Sequence, residues 1–229
     1  MKWAARQDKS EEKVHEAIEE LCEELDISIP YYPEVHWIGR RGDLNSLGLR
    51  NSHLEDSKRR KMAGWSEYLK KERAILLYRD CEHHVNEESV HFVHLINSNL
   101  RFVGRPLYDW TALGMIVEAI GFFGSKLLSP ERPNPYQKFP DLLSLNSAER
   151  ARFFMNYFGV RNITDLDLTE IIIHQQGYSV GERAFYAYHS GGFSKKEVKK
   201  LMLNRFESDG SAVLKFGELR KRFGIPLPN

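Results

Sequence analysis

Cysteine is nearly missing from this 229-residue chain: Cys22 and Cys81 are the only two, and they form no CxxC pair. That excludes a disulfide framework and a thiolate zinc cage, and the simplest expectation is a reducing, cytoplasmic setting. The first ten residues lack the apolar stretch of a secretory signal, which points the same way. An excess of one charge is missing too. The 33 Lys and Arg nearly cancel the 32 Asp and Glu, leaving a net charge of +1, so any attraction to nucleic acid or an acidic membrane must come from a local patch. No apolar run is long enough to span a bilayer: the longest, Ala112 to Leu128, falls short of roughly 20 residues and carries Glu118 at its middle, which reads as a buried helix. Phosphate loops, dinucleotide fingerprints and nucleophile elbows are likewise absent, which removes the commonest motif-bearing enzyme classes.

What is present is an ordinary globular balance of 41% hydrophobic and 28% charged residues, enough for one sizeable domain or two small ones. Val14, Ile18, Leu21, Cys22 and Leu25 recur at helical spacing and predict an amphipathic helix from about Ser10 to Leu25. Val35, Trp37 and Ile38 favour a strand between Tyr31 and Ile38. Residues 40–71 are polar and basic and read as a loop plus a surface helix. Ala74 to Tyr78 is a short continuous apolar run, the pattern of a buried strand. Asn86 offers an N-cap to a helix running from Glu87 to about Ser98, and Asp109 offers one to the helix that follows. Four prolines between Pro130 and Pro140 suggest an extended connector. Beyond it the chain is helical, with capping boxes at Asn146–Glu149 and Ser194–Glu197, and Gly159, Gly177 and Gly191 punctuating between helices. The expected class is α+β, mostly helical, organised as a core over 1–129, a connector over 130–140 and a helical lobe over 141–229.

Two of these helices carry side chains that need an explanation. At 100° per residue, Glu87, His91, His94 and Ser98 form one stripe, with Glu88 about a quarter-turn away, while Val90, Phe92, Val93, Leu95 and Ile96 cover the rest. A polar stripe on a largely surrounded helix is costly unless its charges are paired or bound to a metal. Glu118 poses the same question among Met115, Ile116, Val117, Ala119 and Ile120. Gly114 and Gly121 share its face, where another backbone, that of the stripe-bearing helix, can approach closely.

The run Asn86-Glu-Glu-Ser-Val-His91 resembles the HExxH helix of zincin metallopeptidases, and Glu118-Ala-Ile-Gly-Phe stands where the gluzincin branch carries its third-ligand glutamate. The order of helix, strand, connecting segment, strand, motif helix and glutamate helix is also similar to a minimal zincin core, over roughly the first 130 residues. Residue by residue, the resemblance implies Glu88 as general base on a water held by a divalent metal, zinc in that family. His91 and Glu118 would be ligands, with Glu87 where the family has its first histidine. Two carboxylates with one imidazole lean instead toward manganese or iron. His94, one turn beyond His91, is a substitute ligand or a partner that orients one.

Outside the motif, His174 and Tyr178 are candidates to steady an oxyanion, and Glu182 is either a further ligand or an acid at a helix N-terminus. The pair Glu12-x-x-His15 adds a second ExxH, but the intervening strands argue against a di-iron bundle. The expected activity is a metal-dependent hydrolase acting on a peptide or protein. A catalytically inactive zincin-fold binding or regulatory protein is the alternative. A third reading is nucleic-acid binding through Arg40-Arg41, Lys58-Arg-Arg-Lys61 and Arg220-Lys-Arg222. No membrane partner is expected.

Overall fold

Helix period comes first in the chain and is obeyed at once. Helix α1 (Lys2–Leu25) buries Val14, Ala17, Ile18, Leu21 and Leu25 along one stripe against the strand that follows it. The computed structural model describes residues 2–38, 67–69, 73–78, 84–98, 100, 105–158, 165–206 and 209–225. Its contacts divide the chain into two compact units, Met1–Asn97 and Ser98–Asn229. The architecture is mostly helical α+β, with a small sheet in the first unit.

In that first unit β1 (Glu34–Ile38), β2 (Glu67–Leu69) and β3 (Ala74–Tyr78) form a sheet in the order β1-β3-β2. The central β3 runs parallel to β1, with Glu34 opposite Ala74 and Ile38 opposite Tyr78, and antiparallel to β2. Its central position explains the uninterrupted apolar run: Ala74, Ile75, Leu76 and Leu77 are all buried. β1 alternates instead. Val35 and Trp37 are buried while Glu34 and His36 pair with each other at 3.4 Å. β2 corrects the expectation of a loop plus a surface helix over 40–71, because three residues are too few to show a period. The rest of that stretch, with Arg40, Arg41 and Lys58 to Lys61, lies outside the described residues, as does Gly159. Helix α2 (Val85–Ser98) closes the unit, tied to α1 by Ser89 Oγ donating to the Val14 carbonyl at 3.4 Å. It starts before Asn86, so Asn86 sits in its first turn and not at the cap.

The second unit is helical: α3 (Leu107–Leu128), α4 (Ser147–Phe158), α5 (Asp165–His189), α6 (Lys195–Met202) and α7 (Ser211–Arg222). α3 is its core helix, packed along α5 and against α7. It is long and apolar enough to cross a bilayer by length and composition, but 72% of its apolar window is buried inside the protein. Asp109 lies in its first turn after Pro106, and is not its cap: the carboxylate is buried against Arg105 at 2.5 Å. Both capping boxes form, at Asn146–Glu149 and Ser194–Glu197. Glu197 also meets Arg222 at 2.7 Å, and these hydrogen bonds hold its carboxyl down at about 2.

The glycines of α5 do something other than end it. The helix runs unbroken through Gly177 and Gly181, which lie against the backbone of α3. A Cβ on Gly177 would stand 2.4 Å from the Glu118 Cβ, and one on Gly181 2.4 Å from the Ala119 carbonyl oxygen. The close approach expected beside Glu118 therefore belongs to α5, while Gly114 of α3 receives the Ile173 side chain. Gly181→Ala is expected to lower stability by about 1–3 kcal/mol, because the obstacle is backbone and cannot rotate away. Chemical denaturation of the two proteins side by side measures it.

The proline-rich stretch belongs to this unit and is tied to it at several points. Gln175 Nε2 donates to the Pro140 carbonyl at 2.5 Å, and Lys126 Nζ to that of Arg132 at 2.9 Å. Asn134 Nδ2 donates to Glu182 at 2.9 Å. The contact boundary at 97–98 accordingly lies well upstream of it, and α3 groups with the helices that follow rather than with the sheet.

Candidate functional site

In the first unit, α2 brings the motif residues to one place by helical period alone. Glu87 and His91 are one turn apart and 2% and 7% exposed, and Glu88 and His94 are buried as well. Val90, Phe92 and Val93 are buried on the other sides, while Leu95 and Ile96 are only half-buried. Glu87 gains a neighbour that sequence reasoning missed: His84 Nδ1 stands 3.3 Å from Glu87 Oε2. The spacing of three residues is the available signal, His84 standing one turn before Glu87. Ser89 is held inside the unit, its hydroxyl donating to the Val85 carbonyl at 2.8 Å.

In the second unit, Glu118 projects from α3 toward α5, its side chain 16% exposed. His174 meets it there, with Nε2 3.5 Å from Glu118 Oε2 and Nδ1 2.8 Å from the Glu170 carbonyl. The backbone contact at Gly177 holds the two helices together at this point. Tyr178 is buried in an aromatic cluster, stacked on Phe122 at 4.4 Å and meeting Tyr136 edge-on at 5.3 Å. The Arg132 guanidinium, 5.8 Å from the ring, and the His174 imidazole, 6.0 Å away and edge-on, also lie against it. Glu182 lies within α5 and accepts a hydrogen bond from Asn134, so no helix starts at it.

Among the described residues, Glu87, His91 and Glu118 offer two carboxylates and an imidazole, a set of donors that can hold a metal ion. His94 and Glu88 are not part of that set. His15 lies against Tyr32, ring centroids 4.6 Å apart. Of the basic clusters, Arg220 is buried: its guanidinium donates to Gln176 Oε1 at 2.6 Å and lies 3.4 Å from Asp141. Burial pulls its pKa down while the Asp141 carboxylate opposes that. Arg222 is engaged by Glu197 and the Gly192 carbonyl. No family model, curated protein or solved structure matches the chain.

Proposed function

We propose that this protein is a divalent-metal-dependent hydrolase of the peptidase type. Glu87 and His91 of α2 and Glu118 of α3 are its ligands, and Glu88 is its general base. The observation that carries the reading is the burial of a carboxylate and an imidazole one turn apart on α2. Withdrawing a carboxylate from water costs several kcal/mol unless a partner compensates it, and a cation held by the i and i+4 side chains of one helix is a compensation this geometry suits. The EExxH order and the following glutamate support the same reading through their resemblance to gluzincins.

When bound, the ion supplies Lewis acidity toward a substrate carbonyl. The protein does the rest. Glu88 takes the proton of the attacking water and returns it to the leaving amine, a role that suits a buried carboxylate adjacent in sequence to a ligand. The oxygen-rich donor set favours manganese or iron, while the family resemblance favours zinc.

The test is hydrolysis of a mixed peptide library by protein stripped with chelator and then reloaded with zinc, manganese or iron(II). Cleavage that follows reloading supports the proposal. No cleavage with any of the three, at occupancies verified by metal analysis, overturns it. One observation favours a second, non-catalytic reading: the His84–Glu87 contact gives Glu87 a protein partner of its own. A metal-loaded but inert protein is the outcome that reading expects.

A further inference from the structure

Between Lys195 and Arg222 the sequence places nine Lys and Arg against four Asp and Glu, in a chain whose net charge is only +1. The described acids of this stretch all have partners. Glu197 pairs with Arg222, Glu218 with Lys215 at 3.0 Å, and Asp209 accepts from the Ser211 amide at 2.9 Å. Lys195, Lys196, Lys200, Arg205 and Lys221 are exposed and make no ion pair among the described residues. Their placement is unfavourable for the protein alone. Lys195 and Lys196 occupy the first turn of α6, at the positive end of its dipole, and Lys195–Lys199 and Lys196–Lys200 are like charges one turn apart. An anionic partner reverses the sign of each effect.

The apolar side chains beside these cations select the kind of anion. Lys196, Lys200 and Leu203 follow one helical stripe at i, i+4 and i+7, with Leu203 keeping helical dihedrals as the C-cap. Leu214 and Lys221 repeat the i, i+7 spacing on α7, and Leu214 is 72% exposed. An open cleft joins the two stripes, lined by Asn204 and Arg205, which follow Leu203, and by Leu214 and Lys215. Leucines among lysines suit a surface that is anionic outside and apolar just beneath, as a bilayer interface is. They suit nucleic acid less well. Proteins grip unpaired bases with exposed rings, and the rings here are turned inward: Phe193, Phe206 and Phe216 are buried, and Phe223 packs edge-on against Phe193.

We propose that α6 and α7 form a docking surface for an anionic membrane, lying on it rather than crossing it. Lys196, Lys200, Arg205 and Lys221 meet the lipid headgroups, and Leu203 and Leu214 enter the boundary with the acyl chains. The surface is independent of the metal site. From sequence no membrane partner is expected, because acids and bases nearly cancel over the chain; which acids are already paired is a tertiary fact.

The test is flotation of the full-length protein with vesicles of phosphatidylcholine alone and of phosphatidylcholine and phosphatidylserine in equal parts, at low and high salt. Binding is expected to the mixed vesicles only, and to weaken as salt rises. Lys196→Gln combined with Lys200→Gln should weaken it by about 30-fold. Leu214→Ser should weaken it by about 10-fold while leaving the salt dependence unchanged. All three positions are exposed, so the melting temperature should stay where it is in the parent. Parent protein that does not float with the mixed vesicles overturns the proposal, and salt-sensitive retention on a DNA or RNA oligonucleotide in its place makes the surface one for nucleic acid. Vesicle binding that ignores both the lysine and the leucine replacements overturns the assignment to this face.

Discussion

Glu88→Gln is expected to cut metal-dependent peptide hydrolysis by about 10²–10⁴-fold while leaving metal affinity nearly unchanged, because a general base contributes on that scale and the replacement keeps shape but cannot take a proton. Glu88 lies beside Glu87 in sequence but leaves the helix in another direction, so its loss should not remove a donor. Two measurements on one variant separate the roles: kcat on a cleaved peptide, and Kd for the metal by titration. Equal losses in both would mean that Glu88 holds the ion. An unchanged kcat would remove it from the chemistry.

The second large effect is on stability. Arg105 and Asp109 form a buried ion pair at the start of α3, side chains 4% and 0% exposed, and Arg105 also donates to the Phe206 carbonyl. Arg105→Met strands a carboxylate and a carbonyl at once, so a loss of about 3–5 kcal/mol is expected. The double replacement Arg105→Met with Asp109→Leu should recover much of it, because removing both charges leaves no buried anion behind. Urea denaturation of parent, single and double variants reads this directly. A single variant within about 0.5 kcal/mol of the parent would show that the pair is solvated in solution.

How much of this was legible in the residues depended on which physical signal each element used. The stripe Glu87–His91–His94 follows from helical period alone, and α2 buries all three side chains. β3 was readable because a strand between two others shows an unbroken apolar run. The capping boxes were readable because their chemistry is local, three residues apart. Long-range meaning was not readable. Gly177 looks like a helix terminator until the backbone of α3 is seen against it, since a glycine serves breaking and close packing equally well. Asp109 looked like a cap because its partner, Arg105, pairs with it only once Pro106 has started the helix earlier.

Arg220 belongs to a different group, for the signal was there. It shares the phase of Ala212 and Phe216, four residues apart and all buried, yet it stands in a run of three basic residues that reads as part of a nucleic-acid-binding patch. Its burial organises much of the second unit. Arg220 meets Gln176 and Asp141, Gln176 Nε2 donates to Asp141 at 2.7 Å, and Gln175 receives the Leu142 amide at 2.9 Å. The segment that looked like a free connector is thereby tied to α5 and α7. The zincin-like order of elements was read from the same residues, and its support remains the EExxH motif and the glutamate that follows.

Whether the polar stripe of α2 serves a metal is decided most directly by titrating zinc and manganese into chelator-stripped parent protein and into His91→Ala. One ion should bind per chain, and at a hundredfold excess over Kd it should add about 2.7 kcal/mol of stability. For a protein of this size that raises Tm by roughly 5–10 °C. In His91→Ala the affinity should fall by at least about 100-fold and the rise in Tm should vanish. Parent protein that binds neither ion and melts at the same temperature with and without them would contradict the metal site, as would His91→Ala that binds as tightly as the parent.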